Sequence, residues 1–107
     1  MLERQSDDAI LLARLQALAS APRLRMLALL SEGTMHASDM ARRLQISRPL
    51  VTMHLTKLEA TGLVASELVL GPDGRAYRYF TLADFEVRVD PRIVASMSSD
   101  GLQAGMD

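Results

Sequence analysis

Residues 36–64 read HASDMARRLQISRPLVTMHLTKLEATGLV, and this stretch decides the fold of the chain. A short amphipathic segment comes first, then Ser47 and Pro49, then a longer segment ending at Gly62; this pattern predicts two helices joined by a tight connection. Residues 71–74, Gly-Pro-Asp-Gly, separate two apolar runs and predict a β-hairpin. Helix, turn, helix and hairpin follow each other in the order of a winged helix-turn-helix, which lays its second helix in a DNA major groove.

The residues on either side predict a mainly α-helical domain with a small β-hairpin wing, an α+β fold. The predicted helices run from Asp7 to about Ala19 with Ser6 as N-cap, from Pro22 to Leu30, from Ala37 to Leu44 and from about Arg48 to Thr61, and the predicted strands are Leu63–Leu70, Arg75–Leu82 and a short third one over Phe85–Asp90. The second helix is apolar nearly all round from Leu24 to Leu30, which predicts a buried helix. A brief final helix is expected from Pro91.

One domain accounts for a chain of 107 residues. We expect residues 1–95 to form the winged helix domain, including an N-terminal dimerisation helix. Residues 96–107, SMSSDGLQAGMD, have little to bury, so they are predicted to be a disordered tail.

Composition excludes several classes of protein. The chain has no cysteine, which rules out disulfides, thiolate metal sites and cysteine nucleophiles. It shows neither a signal peptide nor an apolar run of membrane length, so we expect a cytoplasmic protein. There is no glycine-rich phosphate loop, and the two histidines have no serine or carboxylate arrangement around them. We therefore expect no enzymatic activity and no cofactor.

The charge distribution favours selective binding of nucleic acid. The net charge is −1, yet four basic residues and no acidic ones lie between Met40 and Leu58. On a helical wheel Val51, Leu55 and Leu58 face the core. The outward side chains offer an arginine for guanine, hydroxyls, an apolar contact for thymine and a lysine for phosphate. An ordinary solvated helix face is the alternative interpretation of the same residues.

The predicted DNA contacts extend from the first helix of the motif to the hairpin tip. We expect Arg48, Thr52 and Met53 to approach the bases. Arg42, Arg43, Lys57 and Arg75 are assigned to phosphates. The full set of predicted DNA-binding residues is Ser38, Arg42, Arg43, Ser47, Arg48, Pro49, Thr52, Met53, Thr56, Lys57 and Arg75. For the hairpin tip, a simple turn without DNA contact is nearly as good an interpretation.

The first helix is apolar on more than one side. Leu11, Leu15 and Leu18 share a face, and Ile10 lies away from it. Because a small domain offers one core, the extra apolar surface predicts a homodimer contact through these four residues. His54 lies at the edge of the core face of its helix, where we expect it to bond to a neighbouring element.

Three separated blocks resemble the arsenic-repressor (ArsR) type of bacterial winged-helix transcription regulators. They are LQALASAPRLRMLALLSEG, SDMARRLQISRPLVTMHLTKLEATGLV and GRAYRYFTL, within about Leu15 to Leu82. The resemblance implies a homodimer whose first and last helices pair and whose two recognition helices read an inverted repeat. It also implies that Arg48, Thr52 and Met53 approach the bases.

The chain departs from the metal-sensing patterns of that family. Where thiol-containing members carry cysteines in the third helix, the matching positions here are His36 and Ser38. No histidine follows His54, which argues against a metal site between C-terminal helices. His36 with Asp39 is a candidate pair for a borderline metal, completed by a second subunit, but two ligands favour a helix cap instead.

The sequence therefore predicts a homodimeric transcription regulator that binds double-stranded DNA at an inverted-repeat operator. The recognition helix is expected at about residues 48–61 and the wing at residues 71–75. The alternatives are a winged-helix module that binds another protein, and a regulator whose signal comes from a partner protein or a non-thiolate metal site.

Overall fold

The computed structural model describes residues 7–104. Its elements are α1 (Asp7–Leu18), α2 (Ala21–Leu30), β1 (Met35–His36), α3 (Ala37–Leu44), α4 (Arg48–Ala60), β2 (Val64–Leu70), β3 (Ala76–Leu82), α5 (Pro91–Ala95) and α6 (Ser99–Ala104). Within this part of the chain, no helix combines the length and apolar character needed to cross a membrane. The mainly helical fold with a hairpin wing is as predicted, and the bounds of α3 agree with the prediction to the residue.

Polar side chains fix where the helices begin. Each of four helices is preceded by a residue whose side chain accepts a hydrogen bond from a backbone N–H in the first turn: Ser20 before α2, His36 before α3, Ser47 before α4 and Asp90 before α5. The helices α2, α4 and α5 also carry proline in the first turn, where its missing N–H removes no helical bond. The predicted cap at Ser6 lies outside the described residues.

The core lies between α2, α3, α4 and the sheet. Aliphatic and methionine side chains fill it, and Phe80 is the one buried phenylalanine or tyrosine among the described residues. The largest side chains with essentially no exposure are Met26, Met40, Val51, Leu55, Leu58 and Leu63. Methionine suits a core that lacks tryptophan because its flexible thioether fills irregular gaps.

The three strands form an antiparallel sheet in the order β1-β3-β2. The β2–β3 hairpin pairs along its whole length, from Val64 opposite Leu82 to Leu70 opposite Ala76. On the other edge of β3, Met35 lies opposite Phe80. The tip of the hairpin extends beyond the core as a wing.

The prediction of a third strand over Phe85–Asp90 is wrong. The third strand is β1, and residues 85–90 have no regular structure. Phe85 packs against the core, so the alternating pattern reflects partial burial of an extended segment. This segment pairs with none of the strands in the sheet, whose order is β1-β3-β2.

Two other predictions differ from the structure. The helix α2 is not buried all round, because Leu24 is 50% exposed and Ala28 is also exposed. Residues 99–104, predicted to be disordered, form α6 and pack against α1. A long-range bond stabilises this packing, since the Ser98 N–H donates to Asp8 Oδ2 over 2.8 Å.

Replacing Leu55 by alanine tests the core. Because Leu55 is fully buried, Leu55→Ala leaves a cavity and should lower the free energy of unfolding by about 2–5 kcal/mol. The matched control is Thr56→Ala on the exposed side of α4, which should change it by less than about 0.5 kcal/mol. Urea denaturation measures both. Equal effects of the two substitutions would contradict the placement of α4.

Candidate nucleic-acid interface

The helix α4 is divided lengthwise into a buried face and an exposed face. Val51, Leu55 and Leu58 have no exposure, which confirms the predicted core face. The predicted contacts on the opposite side, Arg48, Pro49, Thr52, Met53, Thr56 and Lys57, are all exposed. An arginine, hydroxyls, a thioether and a lysine thus line one accessible side of a 13-residue helix.

Arg23 ties α4 to the end of α1. Its guanidinium donates to the Ala17 carbonyl over 2.6 Å and to the Gln16 carbonyl over 3.4 Å. The same group reaches His54 Nδ1 at 3.0 Å. Because a guanidinium can only donate, Nδ1 accepts and the hydrogen of the neutral ring sits on Nε2. The expected bond of His54 to a neighbouring element is confirmed.

A second side chain of the N-terminal helices binds the C-terminal end of α4. Arg14 Nε in α1 donates to the Thr61 carbonyl over 2.9 Å, just beyond the last turn of α4. Gly62 follows with φ of +76°, a left-handed conformation that favours glycine. A Cβ added there would lie 3.0 Å from the Arg14 guanidinium, so glycine also leaves room for this bond.

A cleft of about 480 Å³ separates the start of α4 from the wing. Its polar lining consists of His36, Ser38, Arg48, Thr52, Arg75, Tyr77 and Arg78. Three arginines and no carboxylate line it, so the cleft favours anions. The structure thus brings together predicted contacts from α3, α4 and the wing.

The predicted DNA-binding cations differ in whether a carboxylate of the protein already pairs with them. Arg42 is 2.6 Å from Asp39 Oδ1, and Arg43 is 3.3 Å from Glu32 Oε1. Both pairs are exposed, so each contributes little and a phosphate can displace the carboxylate. By contrast, no carboxylate within residues 7–104 forms an ion pair with the remaining predicted cations, Arg48, Lys57 and Arg75.

Hydrogen bonds cross-link the wing tip. The Gly71 N–H donates to the Arg75 carbonyl over 2.7 Å, and Asp73 Oδ1 accepts from the Arg75 N–H over 3.0 Å. The Tyr77 hydroxyl donates to the other oxygen of Asp73. This bond holds the pKa of Asp73 below its ordinary value and raises the pKa of Tyr77. Both backbone groups of Arg75, its N–H and its carbonyl, are therefore hydrogen-bonded within the turn.

His36 joins the helix-turn-helix to the wing. Its Nδ1 accepts from the Asp39 N–H at the start of α3, and its ring stacks on Tyr77 with centroids 5.5 Å apart. His36 Nε2 is 3.3 Å from Asp39 Oδ2. Nowhere in residues 7–104 do three or more potential metal-ligating side chains from His, Cys, Asp and Glu cluster. His36 acts as the N-cap of α3, and its other ring nitrogen lies beside the Asp39 carboxylate.

The predicted dimer residues are spread around α1. Ile10 is exposed, whereas Leu11, Leu15 and Leu18 are half-buried within the chain. Leu18 packs against the core, and α6 covers part of α1. The role of these residues in self-association stays a prediction.

Sequence reasoning missed Arg23 and Tyr77, and it noted Arg78 on the strand after the hairpin tip without including it among the predicted DNA contacts. Arg23 forms a hydrogen bond with His54, 31 positions along the chain, and the Tyr77 hydroxyl donates to Asp73 at the hairpin tip. Arg78 lines the cleft opposite α4. The one available signal was the alternation of β3, which places Arg78 on the same face as Phe80.

The chain has relatives among known regulators. The family model described as "Bacterial regulatory protein, arsR family" matches residues 21–66. An uncharacterized HTH-type transcriptional regulator of Methanocaldococcus jannaschii is 34% identical over 82 residues, which span 77% of this chain and 85% of that protein.

Solved structures show the same fold. HlyU from Vibrio cholerae is 28% identical with a TM-score of 0.60, covering 80% of this chain and 86% of its own. The structure of reduced HlyU from the same organism is 26% identical with a TM-score of 0.62, and the match covers 74% of this chain and 78% of HlyU. ZitR from Lactococcus lactis, solved in complex with DNA, is 24% identical with a TM-score of 0.54, covering 78% of this chain and 51% of its own, a likeness in fold alone.

The stability of the protein should depend on pH through His54. Burial, and then the charges of Arg23 and Lys57, lower the pKa of His54 below its ordinary value of 6.5. Below pH 6.5 the unfolded chain therefore takes up a proton that the folded chain resists. The contribution of His54 to stability is neutral at higher pH and becomes unfavourable as the pH falls.

Urea denaturation between about pH 5 and pH 8 measures this dependence. In His54→Asn an amide oxygen replaces Nδ1 as the acceptor for Arg23 and does not titrate. We expect the free energy of unfolding to fall less steeply with decreasing pH in this variant than in the wild type. The carboxylates are common to both proteins, so equal slopes would contradict the role of His54.

Proposed function

The chain belongs to the arsR family of bacterial regulatory proteins and is a winged-helix transcription regulator, and we propose that it acts as a homodimer on an inverted-repeat operator. The observation that carries the proposal is the exposed face of α4 beside an arginine-lined cleft. In this proposal α4 enters the major groove and the wing lies on the flanking DNA.

Base recognition is assigned to the first half of α4. Arg48 is its first residue, and the exposed Thr52 and Met53 follow one turn later. An arginine at the tip of a recognition helix can donate two parallel hydrogen bonds to guanine O6 and N7. Thr52 and Met53 offer a small hydroxyl and an apolar surface suited to a thymine methyl group.

Phosphate contact is assigned to the cations around this face. Lys57 and Arg75 make no ion pair with any residue between 7 and 104, so the described structure offers them no competing carboxylate. Arg42 and Arg43 would exchange an exposed carboxylate for a phosphate. The remaining predicted contacts lie at exposed or half-exposed positions: Ser38 in α3, Ser47 just before α4, and Pro49 and Thr56 in α4. They would contact the DNA backbone and so orient the protein on it.

A homodimer explains how so small a surface becomes selective. The exposed Ile10 and the half-buried Leu11 and Leu15 leave part of the apolar surface of α1 open to solvent. Two copies related by a twofold axis would present their α4 helices to successive major grooves, about 34 Å apart. We propose that α1 supplies this contact.

The direct test compares binding of purified protein to the DNA upstream of its own gene and to a scrambled fragment of equal length and composition. A preference of about a hundredfold or more at the same salt concentration is expected of a specific regulator. Equal, weak binding to both fragments would contradict the proposal and favour a module that binds another protein.

Arg48→Ala should relax base choice at one position in each half-site and cost about 1–3 kcal/mol. Arg48→Lys keeps the charge but loses the planar fork, so it should restore part of the affinity without restoring the base preference. Binding to a panel of operator variants measures both. Uniform weakening across the panel would reassign Arg48 to a phosphate.

Lys57→Ala should weaken binding to every sequence, because it removes a phosphate contact. The slope of log affinity against log salt should become shallower by about 0.9 for each protomer. Arg88→Ala is the control, since Arg88 lies outside the predicted interface and 3.7 Å from Asp90. A Lys57→Ala slope no different from that of the control would refute this assignment.

A further inference from the structure

Two leucines on the wing are left unexplained by the proposed contacts. Leu68 is 61% exposed and Leu70 is 73% exposed, the highest values among the large apolar side chains of residues 7–104. Both lie on β2, the free edge of the sheet opposite β1. Exposed leucines on an unpaired edge strand favour aggregation, so we expect a binding partner to cover them.

The register of the hairpin shows which way they face. Leu68 lies opposite Arg78 and Leu70 opposite Ala76, so all four side chains are on one face of the sheet. The buried Phe80 lies on this same face, which is therefore the face toward the helices.

The same face continues into the cleft beside α4. Ala76 and Arg78 line this cleft opposite Arg48 and Thr52. Leu68 and Leu70 thus extend the proposed DNA-binding surface by one strand, and the surface has arginines beside its apolar part.

Hydrogen bonds hold this part of the wing in place before any ligand binds. Arg78 Nη1 donates to Ser66 Oγ over 3.0 Å, and that hydroxyl donates to Glu59 Oε2 of α4 over 2.8 Å. The chain of bonds joins both strands of the wing to α4. A surface fixed in this way loses little conformational entropy on binding.

We propose that Leu68 and Leu70 contact the minor groove flanking each half-site, with Leu70 nearest the tip pressing against the deoxyribose walls and opening the groove. This inference rests on the proposed function. Arg75 and Arg78 provide the phosphate contacts on either side of the apolar surface. Apolar side chains used in this way bend DNA, and the energy of bending depends on the flanking sequence.

The test compares Leu70→Ala and Leu68→Ala with Val69→Ala. Val69 lies between the two leucines but on the opposite face of β2, and it is 39% exposed. We expect Leu70→Ala to weaken operator binding about tenfold and Val69→Ala to change it less than about twofold. Since no charge is altered, the salt dependence should be the same in all three variants.

A second measurement replaces flexible pyrimidine–purine steps in the flanking DNA by G·C-rich sequence. Wild-type affinity should fall, and Leu70→Ala should be insensitive to the replacement. Equal behaviour of Leu70→Ala and Val69→Ala would overturn the inference. A shift in the monomer–dimer equilibrium of the leucine variants, with DNA affinity unchanged, would also overturn it and assign the leucines to a second copy of the chain.

These outcomes are distinguishable from failure of the proposed function. If the wild-type protein shows no preference for its upstream DNA, the regulator hypothesis and the wing inference both fail. If the wild type is selective and the leucine variants match the control, the wing inference alone fails.

Discussion

The burial of one side of α4 is the constraint on which the rest of the structure depends. Val51, Leu55 and Leu58 are fully enclosed, and His54 between them is only 8% exposed. These four positions follow the i, i+3, i+4, i+7 spacing of a single helical face. Rotating α4 about its axis would expose them, so the orientation of the opposite face is fixed by the core. The surface that we propose for DNA is therefore set by hydrophobic packing.

Hydrogen bonds from two arginines further fix the position of α4 relative to α1. Arg23 joins the last turn of α1 to the middle of α4, and Arg14 joins α1 to the residue after α4. A guanidinium with several acceptors in fixed positions restricts sliding and rotation, which nonpolar contacts alone tolerate more readily. If α1 forms the dimer contact, these two arginines transmit its position to the helix that reads DNA. A change of packing at α1 would then alter the spacing between two recognition helices.

The sequence predicts best what short-range chemistry decides. Ser47, Pro49 and Gly62 delimit α4 because capping, proline and glycine effects act within a few residues. The turn at Gly71–Gly74 follows from the same kind of local signal. The strand β1 was missed because a dipeptide has no periodicity, and its pairing with β3 joins residues about 45 positions apart. Contacts of this range are absent from any local pattern, which is also why the bond between Arg23 and His54 was not predicted.

Affinity cleavage from the wing tip tests the central claim most directly, that α4 and the wing face DNA together. The chain has no cysteine, so Pro72→Cys would carry a single DNA-cleaving group. A homodimer with α4 in successive major grooves should cut its operator in two symmetric clusters, each in the minor groove flanking a half-site. Cleavage confined to the centre of the operator, or spread evenly along it while the protein remains specifically bound, would contradict this orientation of α4 and the wing on DNA.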